Sequence, residues 1–182
     1  MSEFPLTPIE IGLTAAIVTV EGEEPAILVT GEKSEPHARL PFGPFDPLAH
    51  RTFEIGLRAL VEAQTALAVG YVEQLYTFGD RGRHARPGDT GPHMVSVGYL
   101  ALTRMPDNVA PLRATGANFK PWYRFFPWED WREQRPEILD KVILPVLSEW
   151  AGRSDRPEPG RALRRRDRLR LCFGLGGSPW DE

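Results

Sequence analysis

Two apolar, β-branched runs, IGLTAAIVTV at 11–20 and PAILVTG at 25–31, flank the charged turn EGEE at 21–24. Side chains of this kind suit a pleated surface and the turn residues cannot continue it, so the segment predicts a strand pair whose apolar face must be covered. HARLPF at 37–42 predicts a short strand running into a Gly/Pro-rich loop, LPFGPFDP at 40–47. From His50 to Leu67 the period changes. Phe53, Leu57, Leu60 and Val61 recur at three- and four-residue spacings among good helix formers, which predicts an amphipathic helix lying on the sheet. YVEQLYTFG at 71–79 and MVSVGYLALT at 94–103 read as further strands, joined by the Arg-, Gly- and Pro-rich loop DRGRHARPGDTGPH. A connection of that length is by base rate mobile or functional. KPWYRFFPW at 120–128 reads as an extended aromatic segment. WREQRPEILDKVILPVLSEWAG carries Ile138, Val142, Val146 and Trp150 at four-residue steps, a second amphipathic helix kinked or interrupted at Pro145. Strand pair, strand, helix, strands, helix is the order of an α+β sandwich with a mixed sheet.

A chain of 182 residues, 41% apolar and 26% charged, suits one domain with a real core and something small at an end. No run reaches the ~18 consecutive apolar residues of a membrane span, and MSEFPLTPIE lacks the basic start and apolar centre of a signal peptide. A cytoplasmic protein with no membrane partner is the expectation. The single cysteine, Cys172, excludes an internal disulfide framework and a multi-cysteine zinc site. The net charge of −3 argues against broad nonspecific nucleic-acid binding. Charge is nevertheless uneven. Arg161, Arg164, Arg165, Arg166, Arg168 and Arg170 crowd the C-terminal end after the polar stretch GRSDRPEPG. Either a basic arm opening a nucleic-acid-binding unit, or a solvated helix face docked through Leu163, Leu169 and Leu171, fits that run. The expected division is a domain at 8–151, a linker at 152–160 and an Arg-rich segment at 161–182. SPWDE at its end has the pattern of a helix start that the sequence does not continue, so a fragment of a longer protein is one expectation.

LPFG followed by a helix and a mixed sheet resembles the Nudix fold, an α/β/α sandwich. Its signature runs glycine, five residues, glutamate, seven residues, then R-E-U-x-E-E-x-G-U with U aliphatic. EQLYTFGD and SVGYLAL sharpen the resemblance, over roughly residues 10–150, to the Nudix-related transcriptional regulators of NAD metabolism, in which a Nudix-like domain senses a nucleotide and a winged-helix domain binds DNA. Two registers of the signature fit. Anchoring Thr65, Ala66 and Leu67 on the family's T-G-L puts Ala59, Leu60, Val61, Glu62, Ala63 and Gln64 on R-E-U-x-E-E. Sliding by one sets Arg58 on the arginine and keeps Glu62 as a carboxylate, with Ala59 and Ala63 replacing the other two. The upstream glutamate falls near His50 or Arg51 in either register.

That loss bears on chemistry. Hydrolysis of a pyrophosphate by this family uses divalent cations, which want several carboxylate oxygens converging from positions i, i+3 and i+4 of one helix face. One glutamate does not supply them; Glu62 is expected to face solvent or to pair with Arg58. The resemblance therefore implies a noncatalytic sensor of an NAD-related nucleotide, ADP-ribose or NAD, needing no cofactor. Arg39, Arg81 and Arg83 would meet its phosphates, with Gly43, Tyr76, Phe78 and Asp80 lining the site. Tyr76 and Phe78 alternate on one strand and share a face, one as core and the other as rim. Trp122, Tyr123 and Trp128 are core aromatics or base-stacking ones, and His50, His84 and His93 have no metal-ligand spacing. DNA would be reached only through a segment missing or truncated here, and a homodimer is compatible with this reading. The alternative is a divergent hydrolase of nucleoside diphosphate compounds, with Glu62, Glu73 or Asp80 holding Mg²⁺.

Overall fold

The computed structural model describes residues 8–31, 38–80, 91–153 and 161–178, for 161–163 the backbone alone. They fall into two compact units that divide after Trp122; most of the expected linker at 152–160 lies outside the described residues. In the first unit β1 (Ile9–Glu21) is long enough to serve three partners. Its end turns at Gly22 (φ 64°) into antiparallel β2 (Glu24–Val29), the expected hairpin. Its beginning pairs on the same edge with β3 (Phe42–Pro44), so the expected strand at 37–42 starts later and leaves Arg39 in a single bridge to Thr30. Along the other edge β1 runs parallel to β5 (His93–Leu102), which pairs antiparallel with β4 (Tyr71–Phe78). With β6 (Asn118–Pro121) beside β2, the sheet order is β4-β5-β1-β2-β6.

Alternation divides the sheet into two faces. Leu13, Ala15 and Ile17 of β1 and Val97, Tyr99 and Ala101 of β5 point to one side, where they meet Leu57 and Val61 of helix α1 (Phe53–Thr65). Each such apolar side chain taken from water contributes about 1.5–3 kcal/mol. The helix starts where Thr52, with extended backbone, accepts a hydrogen bond at Oγ1 from the Ile55 amide, 3.2 Å. It ends at Ala66, whose left-handed backbone (φ 54°, ψ 24°) is unusual for a residue with a Cβ. A short helix α2 (Ala110–Ala114) precedes β6 and buries Leu112 in the same core.

The second unit differs more from expectation. The aromatic segment is extended only to Pro121, after which Trp122–Arg124 and Pro127–Glu129 form 3₁₀ turns. Here Tyr123 is covered by the Arg132 guanidinium, 4.5 Å from the ring centre, and Arg132 also clamps both Asp130 carboxylate oxygens at 2.8 and 2.9 Å. Phe126 and Trp128 meet edge to face. The second amphipathic helix opens as a π-turn at Leu139–Ile143 and continues as α3 (Leu144–Gly152). Pro145 has no N–H to give Lys141, and the Leu144 amide instead reaches Leu139. The wider turn rotates the stripe. Leu139 and Ala151 are buried, whereas Val142 and Val146 of the expected stripe are more than half exposed and Trp150 is 39% exposed. α4 (Arg161–Cys172) packs on α3. Arg165 is the anchor: it is buried, stacks on Trp150 at 4.6 Å, and donates from Nη1 to the carbonyls of Trp150 and Arg153. Leu169 is buried and Leu171 exposed, so half of the expected docking face forms; the Leu163 side chain and residues 179–182 lie outside the described residues. No helix among those described is long and apolar enough to cross a membrane.

Candidate functional site

On the sheet face away from α1, β1 and β5 carry unusually small residues. Gly12 lies opposite Ser96 and Thr14 opposite Gly98. Ser96 is 3% exposed, and its hydroxyl pairs with that of Thr14 at 2.9 Å. One O–H is used between the two oxygens. Aromatic rings from the flanking strands lean over the glycines: a Cβ on Gly12 would stand 2.6 Å from the Phe42 ring, and one on Gly98 would stand 3.3 Å from Phe78. The result is a largely buried hydroxyl pair bordered by aromatic rings seated on the glycines. Tyr76 and Phe78 do share this face, with ring centres 5.0 Å apart; Phe78 is half-buried and Tyr76 is 61% exposed. A bulge between Gln74 and Tyr76 brings them into line, and displaces Leu75. At the end of β4, His93 Nε2 lies 2.9 Å from the Gly79 carbonyl and closes the base of the long loop.

Other candidates are dispersed. Arg39 is fixed by reciprocal backbone bonds to Thr30, 2.7 and 2.9 Å, and its side chain is exposed. Gly43 has a packing reason to be glycine: it is buried beneath Leu60 of α1, where a Cβ would fall well inside 3.0 Å of Leu60 Cδ1. Asp80 is exposed just past β4, and Arg81 and Arg83 lie outside the described residues. Glu73 is opposite Leu100, on the face away from α1, and accepts a hydrogen bond from the Tyr71 hydroxyl; its charge holds that phenol above its ordinary pKa. Glu62 is exposed on α1. It does not pair with Arg58, whose Nε and Nη2 both go to Glu54 Oε1 at 3.0 and 2.8 Å while Nη1 reaches the Val69 carbonyl. Among the described residues no group of three or more His, Cys, Asp or Glu could hold a metal ion.

No protein-family model matches the sequence. No curated protein matches it either. Solved structures do. The Nudix domain of Shewanella oneidensis NrtR, in a cocrystal with ADP ribose, superposes with a TM-score of 0.53 at 19% identity, over 79% of this chain and 88% of that one. Shewanella oneidensis NrtR gives 0.51 at 18% identity, over 78% of this chain and 64% of that one. The same protein complexed with a 27mer DNA gives 0.50 at 18%, over 78% and 63%. This chain has the Nudix fold. It spans under two thirds of the length of the two longer NrtR chains.

The helix ends on a left-handed residue, Ala66, a backbone that glycine takes without strain. That fits the register with Thr65, Ala66 and Leu67 on T-G-L, in which Ala63 and Gln64 would take the places of the paired glutamates. Gln64 is committed elsewhere. Its Oε1 accepts from the Phe42 amide at 3.2 Å and its Nε2 donates to the Phe42 carbonyl at 2.8 Å. The donor set does not fit a divalent cation: a methyl group, an amide tied to the backbone, and a solitary exposed carboxylate offer no converging charge. Sequence reasoning missed Thr14, Ser96 and Phe42. Their signal was available in the hydroxyls interrupting the apolar runs IGLTAAIV and MVSVGYL.

Proposed function

We propose that this chain binds an NAD-related nucleotide, ADP-ribose or NAD, without hydrolysing it, and that it is the ligand-sensing domain of a transcriptional regulator of NAD metabolism. The observation that carries the reading is on helix α1, where Ala63 and Gln64 stand at the paired carboxylate positions while Glu62, Glu73 and Asp80 do not gather into a metal-binding group. Binding without cutting needs only recognition. Phe42, Tyr76 and Phe78, on one face of the sheet beside the Thr14–Ser96 hydroxyl pair, would offer aromatic surface and polar groups to a flat ring, and Arg39, Arg81 and Arg83 would offer guanidinium groups to phosphates. The Nudix domain of Shewanella oneidensis NrtR was crystallised with ADP ribose, and NrtR from the same organism with a 27mer DNA, which supports a nucleotide ligand and a regulatory role. Ligand would act by favouring one of two states of the regulator, which requires different affinity for each.

The test is a thermal melt with ADP-ribose or NAD in EDTA, paired with product analysis in Mg²⁺ or Mn²⁺. At ~100 times its Kd a ligand adds about 2.7 kcal/mol of stability. A rise in melting temperature in EDTA with no cleavage is expected. Cleavage of ADP-ribose that Glu62→Gln abolishes would replace the sensor reading with a divergent hydrolase.

A further inference from the structure

Hydrogen bonding along β3 alternates. The Pro41 carbonyl accepts from Ala15 and the Phe45 amide donates to Ile11, so the odd-numbered residues face β1. Phe42 consequently turns its N–H and C=O to the free edge of the strand. Gln64 meets both groups with one planar amide. Four residues earlier on the same helix face, Leu60 sits on Gly43. Two successive residues of β3 are thus gripped from the α1 side. The side chain of Phe42 emerges on the opposite face of the sheet, seated on Gly12 and opposite Thr14 in the strand register, beside the Thr14–Ser96 hydroxyl pair.

We propose that Gln64 is a positioning residue for nucleotide binding: its amide fixes the backbone of Phe42, and through it the aromatic ring that Phe42 carries on the far face of the sheet. The inference rests on reading the chain as a nucleotide-binding domain. It gives the former catalytic helix a present task. The chemistry is specific, because an amide offers a donor and an acceptor side by side at every pH, and among acidic side chains only a protonated carboxyl does the same.

Gln64→Glu is therefore a pH-sensitive version of the clamp. Protonated, the new carboxyl donates to the Phe42 carbonyl and accepts from its amide; ionised, it has no donor and faces the carbonyl oxygen with negative charge. β3 has no titratable side chain, and the charged residues of α1 are Glu54, Arg58 and Glu62, none engaged with this pair, so the native clamp has nothing to titrate between pH 5 and 8.

The experiment measures ADP-ribose affinity in EDTA and hydrogen exchange at the Phe42 amide for the wild type, Gln64→Ala and Gln64→Glu at pH 5 and pH 8, with circular dichroism confirming folding at each pH. Gln64→Ala is expected to lose about tenfold in affinity, the scale of one to two net hydrogen bonds, and to speed Phe42 exchange about tenfold relative to the wild type at both pH values. Gln64→Glu, compared with the wild type at the same pH, should fall about tenfold at pH 8 and by less at pH 5, where a larger share of the carboxyl is protonated. Identical behaviour of Gln64→Glu and wild type at both pH values overturns the proposal. Faster Phe42 exchange with unchanged affinity also overturns it, leaving a purely structural bond. A wild type that does not bind ADP-ribose at all would instead refute the nucleotide reading, while Phe42 exchange still reports whether the clamp exists.

Discussion

Replacing Gly43 with alanine puts a methyl group where Leu60 Cδ1 already lies. Overpacking of this kind costs about 1–3 kcal/mol. The low end applies, because the obstructing atom ends a side chain that can change rotamer, for about 0.5–1.5 kcal/mol; Leu60 Cγ at 3.6 Å and Gln64 Nε2 at 3.8 Å would be in ordinary contact. Against this, alanine in a strand gains about 0.5–1 kcal/mol over glycine through the unfolded chain. Gly43→Ala alone should range from neutral to a destabilisation of about 1 kcal/mol. Once Leu60→Ala has removed the obstruction only the gain is left, and the same substitution should stabilise by about 0.5–1 kcal/mol. The shift between the two backgrounds is the signature, a coupling of about 1–1.5 kcal/mol in a double-mutant cycle. Urea unfolding followed by hydrogen exchange at the Leu13 and Ile17 amides reads it directly. Additive effects of the two substitutions would refute the placement of α1 on β3.

Three further outcomes follow from other contacts. Ala66→Gly relieves the left-handed backbone and should raise stability by about 0.5–1 kcal/mol in the same assay. Arg165→Lys keeps the charge but cannot stack on Trp150 while donating to two carbonyls; α4 amides should exchange as if about 1–3 kcal/mol less stable. The hydrogen bonds from Arg132 hold the Asp130 carboxyl below an ordinary aspartate. A depressed folded-state pKa means that the clamp contributes fully above the unfolded pKa and is lost as pH falls through the folded one. The NMR midpoint of Asp130 should therefore sit low and move up in Arg132→Met.

The elements that depend on local pattern were legible in the sequence. The β1–β2 hairpin, α1, β4 and β5 all stand within a few residues of where alternation and helical period put them, and the substitutions at Ala63 and Gln64 are visible in the letters alone. The stripe of the second helix was not, because a missing N–H at Pro145 shifts the phase by one residue and exposes Val142 and Val146 in place of Ile143 and Leu147. Arg165 was hidden in a charge run: nothing local distinguishes the one arginine that stacks on Trp150 from its neighbours. The cluster of hydroxyls and aromatic rings was hidden for a different reason. Thr14, Phe42, Tyr76 and Ser96 come from four strands, and only the parallel pairing of β1 with β5 brings them to one face.

Calorimetric titration of ADP-ribose into the protein in EDTA, with the ligand recovered and analysed afterwards, bears most directly on a Nudix fold that binds without cutting. Saturable heat with intact ADP-ribose is the predicted result. Heat that requires Mg²⁺ or Mn²⁺, together with release of AMP, would contradict it.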